Sequence, residues 1–294
     1  MLRIRSRRGA FIALILLTLV WGSAWIAMKF AAGAAHPMMF VMHRCVLAVV
    51  VMFGVLVVQG KPLRPPSWIA LLITAVFQTT LNFGGTAMAL VSGGAGRTSV
   101  LVFTMPFWTL LLAWPIFRER VRGAQWLAIL LAMVGLFLLV DPTHWSGDLT
   151  PKLWALASGF GWAAGTIAMK YFSRDEKIDL LNFVAWQMLV GAIPFFILPL
   201  AYEFPASNWS LTYLIALLYV STISSALAFL MWIEVLRFLP AGTASLNMFA
   251  VPVLVLSLSS VIFGERLAAN EWAGIATIGA GLAVLMALGL RKQR

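Results

Sequence analysis

Apolar residues in this chain neither alternate nor keep to one stripe of a helix; they run unbroken for about 20 positions at a time between short polar or Gly/Pro-rich breaks. Such a run is long enough to cross the roughly 30 Å of bilayer hydrocarbon as a helix, which bonds all of its own backbone groups. The runs fall at 10–30, 38–58, 67–91, 95–117, 123–140, 151–171, 179–202, 210–238, 241–263 and 270–290. Gly, Pro, Ser and Asn occupy the breaks, where helices stop. The pattern predicts an all-α integral membrane protein with ten transmembrane helices.

Composition narrows the picture. The chain has 294 residues, of which 62% are hydrophobic and 11% charged, with mean hydropathy +0.95. A water-facing surface needs about a quarter charged residues, so a soluble enzyme is excluded. Ten spans leave no room for a separate soluble domain. The net charge of +11 would suggest nucleic acid in a soluble protein. Here the basic residues sit in short loops beside apolar runs, which points to the bilayer as partner and away from nucleic acid. Cys45, the sole cysteine, can form no intrachain disulfide.

Cytoplasmic loops carry an excess of Lys and Arg. With the N-terminus inside, 16 of the 21 basic residues fall on the inner side; Lys29, Arg97, Lys152 and Arg266 lie outside and Arg44 within a span. Both termini are therefore expected in the cytoplasm. The arginine-rich start resembles a secretory signal, but its apolar run of about 19 exceeds the usual 7 to 15. It is expected to stay as the first span.

The chain also matches itself. Trp21, Ile26, Ala27, Met28 and Lys29 lie over Trp162, Ile167, Ala168, Met169 and Lys170 at an offset of 141. Phe103, Pro106, Phe117, Glu119 and Arg120 lie over Phe249, Pro252, Phe263, Glu265 and Arg266 at an offset of 146. Two repeats follow, 1–146 and 147–294, each with five spans. Because five is odd, the second repeat enters the membrane from the opposite side. Inverted repeats of this kind recur in secondary transporters, with the substrate site near the midplane between the halves.

The five-plus-five short helices, Trp21-Gly22-Ser23 in span 1, Arg44 in span 2 and the paired Phe-x-Glu-Arg turns at 117–120 and 263–266 resemble the drug/metabolite transporter superfamily, EamA type. The Trp- and Met-rich character and the length are most like its YddG group of amino-acid exporters. The resemblance implies a bacterial inner-membrane carrier that exports aromatic and other neutral amino acids by alternating access.

Several residues are candidates for the site. Trp21 and Trp162 lie too deep for the interfacial belts that suit Trp68, Trp126, Trp145, Trp209 and Trp272, so they either line a cavity or pack helices together. Pro106 and Pro252, at the centres of spans 4 and 9, bend those helices as hinges or as fixed kinks. Thr74, Gln78, Asn82 and Thr86 form a polar stripe on span 3, and Ser221, Ser224 and Ser225 a matching group on span 8. Gln78, Asn82, Ser224 and Ser225 are candidates for substrate contact, although interhelical hydrogen bonding alone would account for the serines. Arg44 lies about 6 Å from its span midpoint, where a charge needs a partner, either a substrate carboxylate or a structural one. His43 is either a proton-coupling group or an ordinary hydrogen-bonded histidine.

Missing groups discriminate as well. No carboxylate falls at a span centre, which argues against a proton-coupled exporter of cationic drugs. No central lysine pair suits a sugar phosphate, and no metal cluster, cofactor motif or nucleophile arrangement is visible. What remains is a cavity of Trp, Met, Phe and amides, suited to a neutral zwitterion with an apolar side chain; Met28, Met42, Met88, Met105 and Met248 are candidates for an adaptable wall, while most methionines are expected to face lipid or pack between helices. A broad exporter of drugs or metabolites is the alternative; a lipid-modifying enzyme or a channel has less support. One chain is expected to suffice, as a monomer.

Overall fold

The structure is a computed structural model that describes residues 4, 6–31, 33–92, 100–140, 149–174, 178–264 and 268–291, and it holds no strand among them. Among the described residues the helices group into ten rods. The first half comprises α1 (Arg7–Ala31), α2 (Pro37–Val58), α3 (Trp68–Thr74, Ala75–Leu81 and Asn82–Ser92), α4 (Val100–Phe117) and α5 (Gln125–Val140). The second comprises α6 (Thr150–Phe172), α7 (Leu180–Ala201), α8 (Leu211–Tyr219, Val220–Leu227 and Ala228–Phe238), α9 (Ala241–Asn247 and Ala250–Phe263) and α10 (Ala269–Arg291). Seven of these, α1 to α4 and α7 to α9, are long and apolar enough to cross a membrane, and Gln125–Leu139 is a shorter apolar helix. The protein is an all-α integral membrane protein.

Local chemistry sets the helix starts. Pro37 opens α2 with its fixed φ, and His36 Nδ1 accepts from the Met38 N–H at 3.3 Å. Ser67, Asp179 and Ser210 cap α3, α7 and α8 by accepting backbone N–H bonds. Two stretches are π-helical, Ala75–Leu81 in α3 and Val220–Leu227 in α8, and they begin 145 residues apart. The wider turn lets Ser225 Oγ donate to the Val220 carbonyl five residues back at 2.8 Å.

Pro106 and Pro252 are expected to bend spans 4 and 9 from within the helix. Instead α4 breaks at Phe103 and Thr104 and α9 at Met248 and Phe249, and each proline sits in the first turn of the segment that follows. Bonds of the tighter i to i−3 kind bridge both breaks: Phe107 N to Thr104 O at 3.0 Å, and Val251 N to Met248 O at 3.0 Å. A proline costs little there, because the first-turn N–H has no helical partner to lose. The two segments end alike too. Arg118 (φ 55) after α4 and Gly264 (φ 66) after α9 take the same left-handed turn, 146 residues apart.

α6 lies inside the bundle. Gly161 and Gly165 bring it against the backbone of α3: a Cβ on Gly161 would sit 2.7 Å from the Phe77 carbonyl oxygen, and one on Gly165 would collide with Gln78. These small residues make α6 less apolar than its neighbours while letting it pack tightly. α6 touches α3 and the second segment of α4; α1 likewise touches α8 and the second segment of α9. α2 packs on α7, α4 on α9 and α5 on α10. Exchanging α1–α5 with α6–α10 maps these neighbours onto themselves. The outward faces carry exposed Val58, Leu200 and Val261, as helices facing lipid require.

Candidate functional site

α1, α6 and α8 meet at a cluster of three indoles. Trp21 and Trp162 are edge to face with ring centroids 5.0 Å apart; Trp232 lies 5.7 Å from the first and 5.8 Å from the second. Each such contact adds about 0.5–1.5 kcal/mol beyond burial. Trp21 Nε1 donates to the Ser224 carbonyl at 3.1 Å, and Trp232 Nε1 donates to Thr166 Oγ1 at 3.2 Å. Trp162 is 6% exposed, and among the described residues its Nε1 has no hydrogen-bond partner.

Above this cluster lies a cavity of about 520 Å³. Its floor holds Trp21 and Trp162, and its walls are aromatic and thioether groups: Trp25, Met28, Phe83, Phe103, Met105 and Phe229. Lys29, Ala35, His36 and Pro37 stand at the end where α1 gives way to α2, so the cavity opens at that face. Polar groups are few. Asn82 Nδ2 donates to the Ser158 carbonyl and hydroxyl, both at 3.1 Å, and Ser158 Oγ returns a bond to the Asn82 carbonyl at 2.8 Å. With that proton committed, Thr86 is the donor in its 2.7 Å bond with Ser158.

Arg44 supplies charge. Its Nε donates to Ser225 Oγ at 2.7 Å, the hydroxyl that the π-helical turn of α8 holds, and its guanidinium carbon lies 3.8 Å from the Phe83 ring centroid. Among the described residues it has no carboxylate partner, and no carboxylate lines the cavity. Lys29, the other cation on the wall, lies 4.0 Å over the Phe263 ring.

The opposite face carries a charged cluster. Lys170, at the end of α6, meets Glu119 Oε1 at 2.7 Å and donates to the Leu239 carbonyl at 2.9 Å. The Ala241 N–H donates to Glu119 Oε1 and the Gly242 N–H to Oε2, both at 3.2 Å. One carboxylate thus joins the α4–α5 loop, α6 and the start of α9.

The candidates from sequence divide. Trp21, Arg44, Asn82, Trp162 and Ser224 line the cavity; His43, Gln78 and Ser225 do not. His43 Nδ1 bonds the Tyr213 hydroxyl at 2.7 Å, and the imidazole packs at a tilt against Trp209 with ring centroids 4.7 Å apart. Gln78 is fully buried against Thr166 at 3.5 Å. Ser225 acts on Arg44. Sequence reasoning missed Trp232 and Phe229, though Ser225, Phe229 and Trp232 stand at i, i+4 and i+7 on one helix face, a stripe that can be read directly. Trp25, one turn beyond Trp21, was legible in the same way. Trp68, Trp126, Trp209 and Trp272 are all more than half exposed, and Trp145 lies outside the described residues.

A membrane bundle with a central cavity is a carrier architecture, and the sequence relationship says which kind. The chain matches the EamA-like transporter family over residues 8–141 and 150–287, and it belongs to that family. Among curated proteins it is 27% identical to the "Probable amino-acid metabolite efflux pump" of Salmonella typhimurium, with 98% of each chain covered. The protein of that same name in Escherichia coli is also 27% identical. The "Uncharacterized transporter YoaV" of Bacillus subtilis is 26% identical over 92% of this chain and 94% of that one. A solved crystal structure superposes with TM-score 0.80 over 98% of this chain and 100% of that chain at 19% identity, a likeness of fold. The protein is therefore a multi-pass membrane transporter, with bacterial transporters among its relatives.

Proposed function

We propose that this transporter exports neutral amino acids with aromatic or other apolar side chains, and that Arg44 binds their carboxylate. The observation that carries the reading is Arg44, a cation with no acidic partner among the described residues, in a cavity whose walls are mainly aromatic rings and methionines. A half-buried guanidinium within an apolar span needs an anion or strong acceptors, and a zwitterion supplies the anion while its side chain meets the Trp21–Trp162 floor. Asn82 and Thr86 stand on the same wall and suit the ammonium end. The efflux-pump relatives support amino acids over drugs; the adaptable methionine and aromatic wall keeps the broad-exporter reading as the alternative.

In this reading all ten helices cross the membrane, and residues 1–146 and 147–294 are inverted halves of one domain. The support is the paired π-helical segments, the paired breaks in α4 and α9, the paired turns at Arg118 and Gly264, and the exchange symmetry of helix neighbours. Both termini are cytoplasmic, the open cavity faces outward, and the Lys170–Glu119 cluster is the closed inner gate. Transport alternates this state with one in which the inner cluster parts and the outer mouth closes. The cavity lies within one chain, so a monomer suffices.

Counterflow of radiolabelled phenylalanine in liposomes holding the purified protein tests the reading. Uptake is expected without an imposed proton gradient, and His43→Asn, which lies off the cavity, should keep most of it. Uptake of cationic dyes with no amino-acid counterflow would favour the broad exporter.

A further inference from the structure

A second cavity, about 540 Å³, lies at the face where α1 begins, one helix length of roughly 37 Å from the mouth of the first. Arg7 at the start of α1 and Arg120 and Arg122 in the α4–α5 loop line it, together with Phe11, Leu246 and Leu288. None of the three arginines has an ion-pair partner among the described residues. Glu119 also borders the cavity, but Lys170 and the N–H groups of Ala241 and Gly242 already engage it. The excess charge is therefore about three positive units on one small concavity.

Orientation alone does not explain this arrangement. Charge that merely fixes topology needs to be on the right side of the membrane, not gathered around a pocket; Arg8 and Arg64, on the same side by loop count, lie outside it. The lining has two parts, a cationic rim from the loop and the helix end and an apolar wall from α1, α9 and α10. A phosphate-bearing headgroup complements the rim, and acyl chains entering from the bilayer complement the wall. We propose that this cavity binds one anionic phospholipid of the surrounding leaflet, held by Arg7, Arg120 and Arg122. The bound lipid would lie beside the Lys170–Glu119 cluster. The proposal concerns binding only and does not depend on which substrate is carried.

Native mass spectrometry of the purified protein tests it, with phosphatidylglycerol set against phosphatidylcholine of the same chains. Wild type should retain phosphatidylglycerol at least about 10-fold better, and Arg7→Gln/Arg120→Gln/Arg122→Gln should lose that preference, while Arg8→Gln/Arg64→Gln should keep it. If the triple variant does not insert, Arg120→Gln alone should weaken binding by roughly 5-fold. Thr243→Trp, which fills the cavity without altering charge, should weaken it too. Equal retention in the arginine variants or in Thr243→Trp would overturn the proposal. Displacement of the lipid by millimolar inorganic phosphate would overturn it as well, since free phosphate would then be the ligand.

Discussion

Trp21 and Trp162 meet edge to face, ring centroids 5.0 Å apart and planes at 89°, although 141 residues separate them in the chain. The contact joins α1 to α6 at the floor of the cavity. Trp21 is anchored through Ser224 in α8, and Trp232 through Thr166 in α6. The cavity floor is thus stitched from three helices by two indole bonds and three ring contacts.

That enclosure governs what Trp162→Ala does. Removing the ring takes one stacking face from the substrate, weakening affinity for Trp and Phe by roughly 2- to 12-fold. It also opens a void beneath Trp21, so thermal stability should fall, because Trp to Ala in a packed interior costs about 3–5 kcal/mol. Trp162→Phe keeps most of the packing and should recover the stability before the affinity. Binding titrations and melting curves on both variants check this.

Glu119 bears on access. Glu119→Gln leaves Lys170 without its counter-charge and should shift the population toward the state open at that face. Bonds to charged groups are worth about 1.5–3 kcal/mol, so the shift should be roughly 10-fold or more. The measurement is the alkylation rate of a cysteine placed at Thr166, fully buried beside Trp232, in a Cys45→Ser background. An unchanged rate would mean that the cluster staples the loops without gating.

Asp179, just outside α7, gives a pH dependence. Burial alone would raise its pKa, but Lys61 at 2.6 Å and the N–H groups of Asn182 and Leu181 outweigh that and hold the carboxyl below its usual range. A depressed carboxylate contributes stability that is present above its unfolded pKa of about 3.9 and is lost as pH falls through the lower folded value. Asp179→Ala should therefore lower stability at neutral pH by about 0.5–2 kcal/mol, with the gap to wild type narrowing in acid. Melting temperatures from about pH 2 to pH 7.5, a range that reaches below the depressed value, decide it.

The helices and the candidate cavity differed in how far sequence disclosed them. Runs such as 10–30 and 38–58 end close to the observed helices because hydrophobic length and Gly/Pro breaks are local properties. Trp21, Arg44, Asn82, Trp162 and Ser224 stood out as polar or bulky groups deep in apolar runs, where each needs a reason to be present. His43 shared that depth, but helix rotation turned it to Tyr213 rather than to the cavity, and rotation depends on packing against α8. The π-helical segments were not legible at all. Nothing in Ala75–Leu81 or Val220–Leu227 forbids an ordinary helix, yet the extra residue in the turn is what sets Ser225 against Arg44. The proline breaks were read as kinks because their position relative to a helix start depends on how the preceding segment packs.

The central claim is that Arg44 holds a substrate carboxylate. It is tested by measuring binding of phenylalanine and of its decarboxylated amine to wild type and Arg44→Gln in the same detergent preparation. Loss of a charged double contact should weaken phenylalanine by roughly 10- to 150-fold while leaving the amine within about 2-fold. Equal phenylalanine affinity in the two proteins, or a parallel loss for acid and amine, would contradict the claim and make Arg44 a structural partner of Ser225 and Phe83.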